Sequence, residues 1–356
     1  MTTALDLSHP KHLEHYLSTT PWAAKSITSL SGGYTNFTFR IELVTPFQGQ
    51  ERVVLKHGKS HIPMAKEFSF SVERQKYEVA AMNKMREILP PDSLARVPVI
   101  YLHDEANHVI VMEDAGRDAV NLKELLRRPN PPSTATGAAM GRALGEFIAT
   151  LHVWGKSDQA RSSLDFFDGH PQARGISAWA TYGRLVDTIV GKSESIPLIH
   201  DPPLEVSSGN LEKISKLAEE RANEMRNSRE TMTMGDFWPG NVLVDVDRGA
   251  DGSEKLRKLL VVDWEVARPG VAAFDVGQFQ AEIVTVRHFN PICGPATEAL
   301  DAAFLEGYLS IEPELDRQRA GQHLATHLVI WTARVGWEPA EKTRELVERG
   351  LKSIVL

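Results

Sequence analysis

Four oxygen-bearing side chains occur at close spacing near the middle of the C-terminal half of the chain. Asp236 and Asn241 lie five positions apart around a Pro-Gly pair, and Asp263 and Glu265 follow the next apolar run. A tight turn allows Asp236 and Asn241 to converge on one point, whereas a helix or a strand would separate them. The spacing therefore predicts a site built from two loops at the ends of apolar strands.

These residue types suit phosphoryl transfer. Carboxylate and amide oxygens are the ligands that Mg²⁺ prefers, and this ion bridges the oxygens of a phosphoryl donor, so Asn241 and Asp263 are the predicted magnesium ligands. Asp236 has a different predicted task, which is to orient an acceptor hydroxyl and to accept its proton. An ordinary hairpin is the alternative, because Asp, Asn, Pro and Gly are common turn residues.

The D-x-x-x-x-N spacing with a downstream D-x-E resembles the catalytic and metal loops of the aminoglycoside phosphotransferase and choline kinase superfamily. The resemblance implies that Asp236 is the catalytic aspartate, that Asn241 and Asp263 bind metal, and that Glu265 is a second metal-site acid, as in methylthioribose kinase-like members. The family usually has histidine where this chain has Met234. An apolar Met fills the same space without a polar tether, which predicts a less rigid loop with unchanged chemistry.

The resemblance also implies an α+β fold of the bilobal protein kinase type, with an ATP cleft between a small antiparallel-sheet lobe and a larger, mostly helical lobe. The sequence agrees, with strand patterns from Ile27 to Gly58, a helix over Met64–Leu89 and two further strands before Ala115. The predicted parts are an N-terminal helical extension, a nucleotide-binding lobe, and a catalytic and acceptor-binding lobe, at residues 1–25, 26–114 and 115–356.

Lys56 ends an apolar strand, where it could simply reach solvent. In a kinase, Lys56 would contact the donor phosphates, and a carboxylate on a helix would hold the lysine in place. Glu78 shares a helical face with apolar residues, whereas Glu73 lies on a more polar face, and a charge on the buried face needs a partner. Glu78 is therefore the predicted partner, with Glu73 as the alternative.

Two further segments are candidates for nucleotide contacts. A Gly-Gly turn before Lys56 would let backbone N–H groups approach phosphates, although any hairpin also uses such turns. The segment that ends in Glu113 resembles the lobe connection that binds adenine through backbone groups in this superfamily. The candidate residues in these two segments are Gly32, Gly33, Tyr34, Thr35 and Glu113.

Composition limits the remaining possibilities. The 356 residues carry 40 basic and 47 acidic side chains, which gives a net charge of −7. This charge does not favour binding to nucleic acid or to an anionic membrane. No stretch approaches the length of a membrane span. The single cysteine, Cys293, rules out an intrachain disulfide and favours a reducing compartment, so we expect a cytoplasmic protein.

The predicted activity is ATP-dependent phosphorylation of a small-molecule hydroxyl. A non-catalytic pseudokinase or scaffold is the alternative, which Met234 favours and the intact acidic residues oppose. A protein kinase is a third possibility, but no DFG or APE element follows Asp263. The sequence leaves the acceptor and the oligomeric state open. Three tryptophans could stack on an acceptor ring or cation, namely Trp179, Trp331 and Trp337. Tryptophan side chains are more often found in the protein core.

Overall fold

The structure, a computed structural model, describes residues 6–30, 36–62, 65–69, 71–192 and 196–355, and it gives no side-chain environment for residues 61–70. The predicted phosphate-contacting residues Gly32, Gly33, Tyr34 and Thr35 lie outside the described residues. Their assignment stays a prediction.

The N-terminal part of the described chain carries most of the strands. Its elements are α1 (Pro10–Leu17), β1 (Ala24–Ser29), β2 (Asn36–Phe47), β3 (Gln50–Gly58), β4 (His61–Ile62), β5 (Ala65–Ser69), α2 (Arg74–Ile88), β6 (Ala95–Arg96), β7 (Ile100–Asp104) and β8 (Val109–Glu113).

The remainder is mostly helical. Its elements are β9 (Val120–Asn121), α3 (Leu122–Arg127), α4 (Thr134–Gly155), α5 (Arg161–Asp168), α6 (Pro171–Ala178), α7 (Leu185–Val190), α8 (Pro197–His200), α9 (Ser208–Asn227), β10 (Thr231–Thr233), β11 (Val242–Arg248), β12 (Glu254–Val261), β13 (Arg268–Gly270), α10 (Ala272–Phe289), α11 (Gly294–Ile311), α12 (Arg317–Trp331) and α13 (Lys342–Val355). The prediction of an α+β fold with an antiparallel sheet is confirmed.

The chain divides into two compact units. Unit 1 comprises Met1–Glu87 and Val97–Asp118, and unit 2 comprises Ile88–Arg96 and Ala119–Leu356. Unit 1 contains a five-stranded antiparallel sheet in the order β1-β2-β3-β8-β7. Unit 2 contains a four-stranded sheet in the order β6-β12-β11-β9 and a separate β10-β13 pair.

Strand alternation builds the core of unit 1. Phe39, Ile41 and Leu43 of β2 are buried at every second position, and they pack with Leu13 and Leu17 of α1. Because successive strand side chains point to opposite faces, Lys56 of β3 faces away from this core. The sheet therefore directs the buried Lys56 side chain to the face opposite this hydrophobic core.

The predicted start of the helix at Met64 is wrong. The segment Ala65–Ser69 pairs with β4 as a strand, and the helix α2 begins only at Arg74. The sequence from Phe68 to Val72 alternates apolar residues with serine, a period-two pattern that favours extended chain over helix. Residues 65–67 favour a helix by local preference, but they belong to this strand, because pairing with β4 overrides that preference.

The helices α4 and α11 of unit 2 pack unusually closely. Gly137, Gly141 and Gly145 of α4 recur every fourth residue and lie on one helical face. A methyl group at any of the three would overlap a backbone carbonyl of α11, which at Gly141 is that of Leu300. The apolar residues of α4 that recur at three- and four-residue steps are all buried, namely Met140, Leu144, Phe147, Ile148 and Leu151. No helix among the described residues combines the length and the apolar character needed to cross a membrane.

Gly141→Ala tests this close packing. The added methyl group forces α4 and α11 apart, so we expect a loss of about 1–3 kcal/mol in the free energy of unfolding, measured by urea denaturation. Gly321→Ala in α12 is the matched control, because nothing lies within 4 Å of its added methyl group. The control variant should be as stable as the parent, or more stable by up to about 1 kcal/mol. Equal stability of both variants would contradict the packing assignment.

Candidate active site

The segment before Asp236 is fixed by α10. After β10 ends, Gly235 adopts a φ of +79°, a left-handed conformation that favours glycine. Asp275, on the first turn of α10, accepts hydrogen bonds from the backbone N–H groups of Met234 (2.8 Å) and Gly235 (2.9 Å). Met234 is fully buried, so it fills the space expected of it. A carboxylate and a glycine thus set the course of the chain into Asp236.

Asp275 and His152 hold neighbouring elements together. The His152 ring is fully buried between the Tyr308 hydroxyl, 2.9 Å from Nδ1, and Asp275, 3.2 Å from Nε2. The Asp275 carboxylate therefore connects α4, α10 and the turn before Asp236.

Two amide side chains clamp the carboxylate of Asp236. The Asn241 Nδ2 group donates to Oδ2 (3.0 Å) and to the backbone carbonyl of Asp236 (3.0 Å). The Gln278 Nε2 group, on α10, donates to Oδ1 (2.8 Å). A short 3₁₀ turn over Pro239–Asn241 brings Asn241 back toward Asp236, so the predicted convergence of these two residues is confirmed.

The surroundings of Asp236 alter its acidity. Burial raises the pKa of Asp236 to about 6, and the nearby negative charge of Asp263 acts in the same direction. Hydrogen bonds from Gln278 and Asn241, together with the charge of His327, lower the pKa and oppose this rise. A carboxylate with a pKa near 6 accepts a proton more readily than an ordinary aspartate does and is still ionised at neutral pH.

Asp263 lies beside Asn241 because of strand pairing. The β11–β12 ladder pairs Val242 with Val261, and one step further the N–H of Val262 donates to the carbonyl of Asn241 at 2.9 Å. Asp263 follows with a φ of +64°, in the left-handed region of backbone conformation. Residues other than glycine adopt this conformation at a cost in free energy, and such residues are frequent at functional sites. Asp263 is half-buried, so its carboxylate remains accessible at the end of the hairpin.

The predicted metal ligands are compatible with Mg²⁺ in their chemistry. Because the Asn241 amide nitrogen is directed at Asp236, its carbonyl oxygen points away from that carboxylate. Asp263 and the buried Glu265 supply further oxygen atoms on the turn after β12. Within the described ranges no group of three His, Cys, Asp or Glu side chains could by itself hold a metal ion. This donor set therefore suits an ion such as Mg²⁺, which keeps waters and substrate oxygens among its ligands.

A second polar cluster lies one helical turn beyond Gln278. The buried carboxylate of Glu282 is 2.9 Å from His327 Nε2 and 3.4 Å from Lys123 Nζ. Burial alone would raise the pKa of Glu282, but its contacts with His327 and Lys123 outweigh burial and lower the pKa. Glu282 is therefore ionised within the helical core.

Four of these polar residues were not predicted from the sequence, namely Gln278, Glu282, His327 and Lys123. A signal was present in α10, where Asp275, Gln278 and Glu282 recur at steps of three and four residues in an otherwise apolar helix. Such spacing places all three on one helical face. His327 and Lys123 come from other helices, and only tertiary packing brings them to this face.

In unit 1 the predicted partner of Lys56 is Glu78. The Lys56 Nζ group lies 2.5 Å from Glu78 Oε1, and both side chains are buried. Glu73, the alternative partner, instead accepts a hydrogen bond from Lys76 at 3.1 Å. Arg74, one turn before Glu78, donates to the side chain of Asn36 at 3.2 Å and thereby ties α2 to the start of β2.

Glu113 ends β8, and two of its groups bond within unit 1. Its N–H donates to the carbonyl of Val99 (2.9 Å), and its side chain accepts a hydrogen bond from the N–H of Val99 (3.3 Å). The neighbouring Asp114 pairs with Arg40 at 2.6 Å. The backbone N–H of Glu113 is thus already used in the sheet.

The fold is one that is known from small-molecule kinases. Two solved structures share the fold, each at 14% identity and each covering 97% of this chain and 98% of its own. They are the choline kinase LicA from Streptococcus pneumoniae (TM-score 0.50) and the ADP-bound aminoglycoside phosphotransferase APH(2'')-Ib (TM-score 0.51). The predicted protein kinase-like fold is confirmed.

The sequence comparison gives the family. The model of the phosphotransferase enzyme family matches residues 26–320, so the chain belongs to this family. The 4-hydroxytryptamine kinase of Psilocybe cubensis is 28% identical over 330 residues, which are 91% of this chain and 85% of that protein. The protein is therefore a small-molecule phosphotransferase, and the predicted enzyme class is confirmed.

Gln278→Leu tests the clamp on Asp236. A base must be ionised, so kcat/KM should rise with pH as Asp236 loses its proton near pH 6. Removing the Gln278 donor raises the pKa of Asp236 further, and we expect the acidic limb of the pH profile to move to higher pH. Gln280→Leu is the control, because Gln280 donates instead to Asp301 from the same helix. An acidic limb that moves equally in both variants would refute the assignment.

Proposed function

We propose that the protein transfers the γ-phosphoryl group of ATP, bound with Mg²⁺, to a hydroxyl group of a small aromatic amine, and that Asp236 is the catalytic base. The observation that carries this proposal is the clamp on Asp236, in which two amides hold a carboxylate whose pKa is raised to about 6. Such a group can orient a hydroxyl and accept its proton at neutral pH.

The proposed reaction is a direct transfer. The acceptor oxygen forms a bond to the γ-phosphorus while the bond from that phosphorus to the β–γ bridging oxygen breaks, which releases ADP. The hydroxyl proton passes to the carboxylate of Asp236 while the acceptor oxygen forms its bond to phosphorus. Asn241 and Gln278 keep this carboxylate in one orientation, so the aspartate need not reorganise during the reaction.

The proposed magnesium ligands are Asn241, Asp263 and Glu265. The ion that these residues would hold would supply positive charge that stabilises the donor phosphates. The Asn241 side chain can take part in both functions. Its amide nitrogen donates hydrogen bonds to Asp236, and its carbonyl oxygen would bind the ion. The left-handed backbone of Asp263 supports a functional role for that residue.

The proposed contact to the donor phosphates in unit 1 is Lys56. A lysine buried against a glutamate is held in one position, which favours contact with a phosphate over free motion in solvent. The same proposal includes the turn containing Gly32, Gly33, Tyr34 and Thr35, and a backbone contact from Glu113 to adenine.

The acceptor class rests on the fungal relative, whose name states that it phosphorylates a hydroxytryptamine. We propose an acceptor of that class for this chain, namely an aromatic ring that carries a hydroxyl and an amine. The non-catalytic alternative is disfavoured, because the proposed catalytic and metal side chains are intact and Asp236 is clamped. The buried thiol of Cys293 is compatible with a reducing compartment, and we propose the cytoplasm.

Asp236→Asn tests the proposed base. We expect kcat to fall by roughly 10²- to 10⁴-fold, because the amide cannot accept the proton, while the KM for ATP stays near that of the parent. The measurement follows ADP release with 4-hydroxytryptamine and detects the phosphorylated product by mass spectrometry. Asp247→Asn on β11 is the control, since this carboxylate is exposed and pairs with Arg257. Undiminished turnover in Asp236→Asn would exclude the assigned role.

Lys56→Met tests the proposed phosphate contact. Hydrogen bonds to charged groups contribute about 1.5–3 kcal/mol, so we expect the KM for ATP to rise by roughly 10- to 100-fold. Lys59→Met is the control, because Lys59 pairs with Asp6.

Loss of Lys56 alone leaves Glu78 buried without its cation, which costs about 3–5 kcal/mol of stability. The double variant Lys56→Met/Glu78→Met removes this penalty. It should regain thermal stability and still bind ATP weakly. A double variant that binds ATP as tightly as the parent would rule Lys56 out.

A further inference from the structure

A lysine of the chain occupies an aromatic and acidic site near Asp236. The Lys123 Nζ group lies 4.3 Å from the ring centre of Trp337 and 5.0 Å from that of Trp238. The carboxylate of Glu282 is 3.4 Å from the same nitrogen. The Lys123 side chain is only 12% exposed, and that of Glu282 is 8% exposed. We call Trp238, Trp337 and Glu282 the ammonium site.

The two indole rings of the ammonium site are held by further contacts. The Trp238 ring packs on Gly240, where an added methyl group would overlap the ring. Trp337 is buried and stacks on Phe289, with ring centres 5.0 Å apart and ring planes inclined by 13°. The exposed Arg127 also contacts the Trp337 ring, at 5.3 Å from its centre. These contacts fix both aromatic walls of the site.

The three tryptophans predicted as candidates for stacking have different partners. Trp337 contacts Lys123, as described. Trp179 and Trp331 instead contact the Arg184 guanidinium, at 5.3 Å and 4.7 Å from their ring centres. Trp337 is therefore the one of these three that belongs to the ammonium site.

Glu282 supplies the negative charge of the site. His327 Nε2 bonds to its Oε1 atom at 2.9 Å, and Lys123 contacts its Oε2 atom. An ionised carboxylate and two aromatic faces are groups that recognise an ammonium ion, through charge pairing and cation–π attraction. The site therefore has the composition of an ammonium-binding site, in which Lys123 provides the ammonium group.

The ammonium site lies close to the proposed base. Glu282 is four residues beyond Gln278 on α10, and the Gln278 amide donates to Asp236 at 2.8 Å. Four helical residues rise about 6 Å, so Glu282 and Gln278 are about one turn apart on the same face. Trp238 is two residues after Asp236 in the chain. A cationic group that lies a few atoms from a hydroxyl bound at Asp236 is therefore within reach of this site.

Stability does not explain a lysine in this position. Lysine is rarely buried in proteins, and a buried ion pair adds little net stability, because the loss of hydration offsets the attraction. An apolar side chain of similar length would fill the space between the two rings without this loss of hydration. The charge of Lys123 therefore needs an explanation in terms of what binds beside Asp236.

We propose that Lys123 fills an ammonium site beside Asp236 and thereby excludes acceptors whose own ammonium group must bind there. This inference rests on the proposed function, because it takes Asp236 as the base. An acyclic amino alcohol such as choline has a two-carbon link between hydroxyl and nitrogen, so its cation must lie near Asp236. The Lys123 charge repels that cation in a site with little water. The proposed aromatic amine carries its ammonium group on a longer, flexible arm that can extend elsewhere.

Lys123→Ala with n-propylammonium tests the proposal, because this ion contains the atoms that the substitution deletes. We expect the variant to melt at a lower temperature than the parent, since Glu282 loses a cation. Compared with an equal concentration of NaCl, n-propylammonium chloride should raise its melting temperature by roughly 2–4 °C and should leave that of the parent unchanged. Calorimetry should show that the variant binds choline at least tenfold more tightly than the parent does.

Two further variants serve as controls. Lys123→Met fills the same space without a charge, so it should not respond to n-propylammonium. The double variant Lys123→Ala/Glu282→Gln keeps the space but lacks the carboxylate, and it should not respond either. It also contains no uncompensated buried carboxylate, so it should melt at a higher temperature than Lys123→Ala does.

The possible outcomes are separable. Equal melting of Lys123→Ala in both salts, failure of this variant to fold in either salt, or an equal response of Lys123→Met overturns the proposal. A parent enzyme that phosphorylates choline as readily as 4-hydroxytryptamine also overturns it, while phosphoryl transfer to a hydroxyl stands. The melting experiment needs no turnover. A response of Lys123→Ala alone, with a parent enzyme that consumes no ATP, supports the ammonium site and contradicts the proposed function.

Discussion

The arrangement of the candidate active site depends on one helix, α10, which holds the segment from Met234 to Asp236 at two points. Asp275 accepts both backbone N–H groups before Asp236, and Gln278 donates to the Asp236 carboxylate itself. Asn241 completes the clamp from the turn that leads into β11. Because one rigid helix fixes both the backbone and the side chain, the carboxylate has a single orientation in a partly desolvated environment, where burial also raises its pKa.

Buried charge recurs at the positions that we connect with function. In unit 1 Lys56 pairs with Glu78, and in unit 2 Glu282 pairs with Lys123. Buried ion pairs add little net stability, because the loss of hydration offsets the attraction between the charges. Their consequence is geometric, since neither partner can move without leaving the other uncompensated. The protein thus keeps ionised groups at fixed positions inside two separate cores.

Much of this organisation was predictable from particular residues. The D-x-x-x-x-N spacing predicted the convergence of Asp236 and Asn241, and helical periodicity predicted that Lys56 pairs with Glu78. The start of α2 was predicted ten residues too early, because the segment Ala65–Ser69, which includes helix-forming residues, pairs with β4 as a strand. Local preference does not reveal such pairing, since the partner strand decides it.

The sequence by itself determined the family, the α+β class, and the turn that places a carboxylate beside an amide, because each depends on spacing within a short segment. Tertiary structure alone decided which groups surround that carboxylate. Gln278 and His327 come from helices far from Asp236 in the chain, and no local period relates them to it. The acidity of Asp236 follows from those neighbours and from burial, which are properties of packing and not of composition.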